Sequence, residues 1–204
     1  MFSINVPTPP AVERLADRLQ PQLVEFDRVR ERHTLLCKRL GVDAFGNEGG
    51  PPEKETALSR LREELRPLIG ETRPFQVEIT GIDAFAEPTA GPGPVVYLTV
   101  ESDGLLRLHW RLVRAFGAVE GLEGEEYVPH VTLARGLERG IGKGTGVETG
   151  RGIETGRGVE TGRDVDAVLE RLREAAGDVD VRWRVDELDL WDPEFRVSAG
   201  RIRL

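Results

Sequence analysis

The sequence predicts an α+β fold made of two similar halves, on three observations. Strand-like and helix-like stretches alternate along the chain, the second half repeats the order of elements in the first, and a histidine–threonine string recurs. The two strings are Arg32-His33-Thr34-Leu35-Leu36 and Pro129-His130-Val131-Thr132-Leu133; their histidines stand 97 residues apart in a chain that has 3.

The elements follow from periodicity. Phe2-Ser3-Ile4-Asn5-Val6 alternates apolar and polar residues as a half-buried strand does, and Pro7, Pro9 and Pro10 end it. Val12, Leu15, Ala16 and Leu19 then recur at helical spacing. Residues 29–40 hold the first histidine string, and the turn formers of 41–52 predict a loop. Helical spacing returns over 53–68, with Leu58, Leu61, Leu65 and Leu68 on one stripe. Strands are predicted at 75–80 and 95–100, a helix at 104–116 closed by Gly117, and then the second string. Val-Glu-Thr-Gly-Arg-Gly recurs nearly unchanged from Val147, Ile153 and Val159. Three hexapeptides cannot stack into a solenoid, so 138–164 is read as a flexible low-complexity insertion within a single domain, 1–204. A helix at 165–175 and strands at 181–185, 188–190 and 195–204 complete the chain.

Composition narrows the functional classes. Hydrophobic residues make up 39% and charged residues 31%, which suits a globular core. No apolar run approaches the roughly 20 residues of a membrane span, and no basic-then-apolar leader opens the chain, so a cytoplasmic protein with no membrane partner is expected. The single cysteine, Cys37, excludes an intrachain disulfide. A net charge of -8 argues against duplex DNA as a partner. Of the 28 basic residues only Lys38, Lys54 and Lys143 are lysine, and the guanidinium fork of the rest suits a small phosphate site.

Chemistry points to the histidines. An imidazole donates or accepts a proton near neutral pH, so two converging copies make an acid/base pair without metal or cofactor. Side chains two apart on a strand share a face, which sets Thr132 beside His130: one moves a proton while the other donates to a phosphoryl oxygen. In the first string the same alternation puts Leu35 and Cys37 on the His33 face and turns Thr34 away unless a bulge intervenes. Lys38 and Arg135, each five residues after its histidine, also point away by parity and reach phosphate only where the strand twists or ends. His109 reads as a surface or boundary residue, Cys37, Tyr97 and Phe75 as packing residues.

The strings resemble the two His-x-Thr/Ser-x motifs of the 2H phosphoesterases, in particular the branch of 2'-5' RNA ligases and RNA 2',3'-cyclic phosphodiesterases. The resemblance covers most of the chain. His33-Thr34-Leu35-Leu36-Cys37-Lys38-Arg39-Leu40-Gly41 is similar to the first motif, with Leu35 at the hydroxyl position, and Tyr127 to Arg135 matches the second at nearly every position. It implies two pseudo-symmetric lobes, each an antiparallel sheet backed by helices, around a central cleft. It also implies metal-independent opening of 2',3'-cyclic phosphate ends of RNA to a 2'-phosphate, reversible toward 2'-5' ligation. His33 and His130 are then the catalytic pair; Thr34, Thr132, Arg135 and Lys38 hold substrate. RNA ends or nucleotide cyclic phosphates are the expected partners of a monomer with no cofactor. Two other classes fit: a non-catalytic RNA or nucleotide binder, and a phosphodiesterase on a small cyclic nucleotide or 2'-5' oligoadenylate.

Overall fold

Nine strands join in one antiparallel sheet in a computed structural model that describes residues 2–41, 54–137 and 157–204, with backbone alone for 54 and 157–164. They are β1 (Phe2–Val6), β2 (Phe26–Val29), β3 (Leu35–Leu40), β4 (Phe75–Phe85), β5 (Val95–Glu101), β6 (His130–Leu137), β7 (Val181–Val185), β8 (Glu187–Asp192) and β9 (Val197–Arg203). Four helices accompany them: α1 (Pro10–Leu19), α2 (Lys54–Gly70), α3 (Asp103–Phe116) and α4 (Arg157–Ala176). The order across the sheet is β7-β4-β5-β6-β3-β1-β8-β9, with β2 also paired to β6.

The two halves stand as expected. The first runs β1-α1-β3-α2 and the second β5-α3-β6-α4, and in each the later strand pairs antiparallel with the earlier. The inner strands β3 and β6 meet at the centre, where Leu35 pairs with Val131. Each half thus places its histidine string on the seam between lobes.

Local chemistry fixes the helices. Val12, Leu15, Ala16 and Leu19 are the buried face of α1, which opens on Pro10, a position where a missing N–H costs no hydrogen bond. Ser102 caps α3, its hydroxyl accepting from the Leu105 N–H at 3.2 Å, and Gly117, at φ 76°, ends it. Gly104 lets the first turn of α3 lie against Phe75, whose ring a β-carbon there would overlap.

Several boundaries differ from expectation, each for a physical reason. β1 is buried along its whole length, Ser3 and Asn5 included, because it lies between β3 and β8 inside the sheet and both its faces are covered. The buried stripe of α2 is Ala57, Leu61, Leu65 and Ile69, with Leu58 and Leu68 half-buried beside it. β2 is too short for its alternation to register in sequence, and β4 continues well past 80. α4 begins at Arg157 and so takes in the end of the stretch read as an insertion; residues 138–156 of that stretch, 42–52 of the predicted loop and 53 of the predicted helix lie outside the described residues. Among the described residues no helix is long and apolar enough to cross a membrane.

Candidate active site

Two β-bulges decide which side chains face the site. In β6 the register against β5 runs Val96 to Ala134 and then Tyr97 to Thr132, so Leu133 is an extra residue. An extra residue inverts alternation beyond it. Arg135 therefore returns to the face of His130 and Thr132, where unbroken parity would have turned it away. In β3 the register against β1 runs Ile4 to Lys38 and then Asn5 to Leu36, which makes Cys37 the extra residue. Leu36 and Arg39 share a face as a result, and Lys38 is turned into the interior at 2% exposure.

Neighbours satisfy the backbone groups that the bulges free. The Cys37 carbonyl accepts from Nδ1–H of His109 at 2.8 Å, and the Leu133 carbonyl accepts from the Arg30 N–H at 2.8 Å. Glu123, fully buried, accepts from the Arg39 N–H at 2.7 Å and the Val119 N–H at 3.0 Å. It also pairs with the Lys38 ammonium at 2.6 Å and lies 3.9 Å from the Arg39 guanidinium. His109 also accepts the Gly124 N–H at Nε2, 3.0 Å away, and stacks on Tyr127 with ring centroids 3.8 Å apart. Tyr127 in turn donates to the Leu36 carbonyl at 2.6 Å. His109 is thus an interior residue at 0% exposure, not the boundary residue that its neighbour Trp110 suggested. Both its nitrogens serve backbone, and with burial disfavouring its charged form its pKa lies below the ordinary 6.5.

The bulged strands open onto a cavity of about 440 Å³, within the range of small-molecule sites. Its wall includes Leu36, Arg39, Phe85, Tyr127, His130 and Arg135, with exposed Glu87 and Glu126 at the rim. His130 donates from Nδ1 to the Val128 carbonyl at 2.7 Å, which leaves Nε2 as an unprotonated acceptor. Phe85 lies edge-on to its ring at 5.2 Å. Burial first, then the charges of Arg39 and Arg135, hold His130 below the usual histidine pKa, so it is neutral at pH 7.

The guanidiniums make the cavity an anion site. Arg135 donates through one Nη to the Ala90 carbonyl at 2.8 Å, while its buried Nε–H has no partner among the described residues. Arg39, Arg30 and Arg28 act on Arg135 as like charges. A buried, unpaired donor in a positive field is a seat for an oxyanion.

The remaining sequence candidates fall elsewhere. Lys38 sits on Glu123 and does not line the cavity. Thr132 is half-buried two residues beyond His130, outside the lining. Thr34 is exposed in a neighbouring hollow of about 290 Å³ with Asn5, Arg32 and Asp189. His33 precedes β3 and also borders a hollow against α1, with Ala16, Asp17 and Gln20. His33 is not among the residues that line the cavity of His130, and burial lowers its pKa against the opposing charges of Asp17 and Glu13. Sequence reasoning missed Arg39, Tyr127 and Glu123. Arg39 lay within the quoted motif, yet its facing depends on a bulge that no spacing discloses.

Comparison with known proteins agrees with this fold. Residues 48–141 match the family model described as the 2'-5' RNA ligase superfamily, a stretch that takes in the second string and begins after the first. Over that stretch, under half of the chain, the sequence is similar to the superfamily. Among curated relatives are OB1230 of Oceanobacillus iheyensis, 35% identical over 112 residues, and GK0864 of Geobacillus kaustophilus, 34% identical over 84, both named only as candidate phosphoesterases. The matches cover 54% and 41% of this chain but only 59% and 45% of those proteins. The crystal structure of TT0787 of Thermus thermophilus shares the fold, with a TM-score of 0.58 and 18% identity over 100% of this chain and 97% of that one.

Proposed function

We propose that the cavity binds the 2',3'-cyclic phosphate end of an RNA or nucleotide and opens it to a 2'-phosphate without metal. The observation that carries this is a neutral imidazole with a free Nε2 in one cavity with two guanidiniums, one of them holding an unpaired buried N–H. Arg39 and Arg135 take the non-bridging oxygens. His130 Nε2 accepts a proton from water as the water oxygen bonds to phosphorus; the bond from phosphorus to the 3' oxygen breaks, and that oxygen takes up a proton from solvent. The arginines face charge that builds on the phosphoryl oxygens in the transition state, where fixed donors contribute most. With a 5'-hydroxyl in place of water as the nucleophile, the same displacement, P–O3' breaking as the new P–O bond forms, gives a 2'-5' linkage.

The test is to incubate the purified full chain, in EDTA, with an RNA ending in a 2',3'-cyclic phosphate. A 2'-phosphate product that His130→Ala loses is the expected result; no product across oligonucleotide and mononucleotide substrates would reject the reading. A second reading, a phosphate-binding protein without turnover, is favoured by the position of His33 on the α1 side. It predicts that the cyclic phosphate binds, that Arg135→Ala weakens binding, and that no product forms.

A further inference from the structure

The two halves of the sheet match residue by residue in register, and the register names counterparts. Ser3, Ile4, Asn5 and Val6 of β1 face Arg39, Lys38, Leu36 and Leu35 of β3. Val95, Val96, Tyr97 and Leu98 of β5 face Arg135, Ala134, Thr132 and Val131 of β6. Each pairing skips one residue at the same step, Cys37 in one and Leu133 in the other, and the inner strands meet at Leu35 and Val131. Counting outward from that pair, Leu36 stands for Thr132, Arg39 for Arg135 and Thr34 for His130. Burial agrees: from Leu35 to Leu40 it runs buried, half-buried, buried, buried, half-buried, buried, and from 131 to 136 it repeats in the same order.

We infer that the cavity is a single-imidazole centre: Thr34, in the neighbouring hollow, holds by register the place that a second histidine would need to complete the pair, Arg39 is the counterpart of Arg135, and His33, one residue out of register, takes no part. The inference rests on reading the cavity as a phosphate site, and it names the groups that work there. His33 shares the parity of Leu35, whose side chain is fully buried, and it lines one hollow against α1 and another shared with Thr34, but not the cavity of His130. The hydroxyl of Thr132 likewise has only Leu36 as its counterpart. What the first half supplies is charge, through Arg39, while proton acceptance falls to His130 alone.

Histidine side-chain NMR on the full chain tests this, since only His33, His109 and His130 contribute signals. The groups facing His130 are Arg39 from β3, Arg135 on its own strand, Tyr97 from β5, Phe85 from β4 and the rim carboxylates Glu87 and Glu126. Those around Thr34 are Asn5, Glu13, Arg32, His33, Asp189 and Arg201. The titration midpoint of His130 is expected to be unmoved in His33→Ala. In Thr34→His, an exposed position that accepts a larger side chain, the new imidazole is expected to titrate with His130 and lower its midpoint by like-charge coupling. Added inorganic phosphate is expected to move the His130 signals, and those of the new histidine in the variant, but not those of His33. A His130 midpoint displaced by His33→Ala, or unchanged by Thr34→His, would overturn the inference. So would a phosphate response of His33 to match that of His130. None of these readings needs turnover, so an absence of hydrolysis would reject the proposed reaction without altering them.

Discussion

In the proposed reaction His130 carries the chemistry through two opposed constraints. The Val128 carbonyl holds Nδ1–H, exposing the Nε2 lone pair, while burial and the two guanidiniums keep the ring uncharged at neutral pH. Because the neutral form accepts the proton, kcat/KM should rise with pH and level off above a pKa below 6.5. Replacing His130 with alanine should lower kcat/KM by about 10²- to 10⁴-fold, the usual contribution of one positioned acid/base group. Arg135 contributes differently: its fork spans a backbone carbonyl and the cavity, a geometry that an ammonium cannot reproduce. Arg135→Lys should therefore raise KM about 10- to 100-fold, as expected for losing a charged hydrogen bond of roughly 1.5–3 kcal/mol; steady-state kinetics over substrate concentration measures it. At this scale the sequence revealed His130, whose surroundings match a motif, and could not reveal Arg39, whose facing is set by one extra residue in β3.

The bulges are held by elements that sequence spacing does not connect to them. Glu123, between α3 and β6, anchors Lys38 and the Arg39 backbone; without it the ammonium of Lys38 stays buried and uncompensated. Glu123→Ala should cost about 3–5 kcal/mol, the usual cost of breaking a buried pair, read as a lower midpoint in urea unfolding. Gly104→Ala should also destabilise, by about 1–3 kcal/mol, because the added methyl meets the Phe75 ring at a helix–sheet contact with no space to spare. The helices were legible from their apolar stripes and caps. Register was not, since alternation within one strand says nothing of where its neighbour inserts a residue. Parity set Leu35 and Cys37 on the side of His33; the bulge takes Cys37 out of that alternation, and His33 itself precedes the strand.

The whole molecule is two β-α-β-α halves joined at Leu35 and Val131, and the resemblance between its two strings anticipated that duplication. What it did not anticipate is that the register sets Thr34, not His33, in correspondence with His130, while Arg39 corresponds to Arg135. The same burial that tunes the site ties global stability to pH. His33, His109 and His130 all have folded pKa values below 6.5, so the unfolded chain binds more protons as acid is added. Stability is then fully present above pH 6.5 and is lost as pH falls toward the folded values, which urea unfolding at pH 7.5 and pH 5.5 should show as a lower midpoint at the acid value. The most direct test of the account is kcat/KM against pH, measured in EDTA on an RNA with a 2',3'-cyclic phosphate end, for the wild type and His33→Ala side by side. One ascending limb in both, of equal height within about twofold, is the result a single imidazole predicts. A bell-shaped profile whose descending limb disappears in His33→Ala, or no turnover in the wild type, would contradict it.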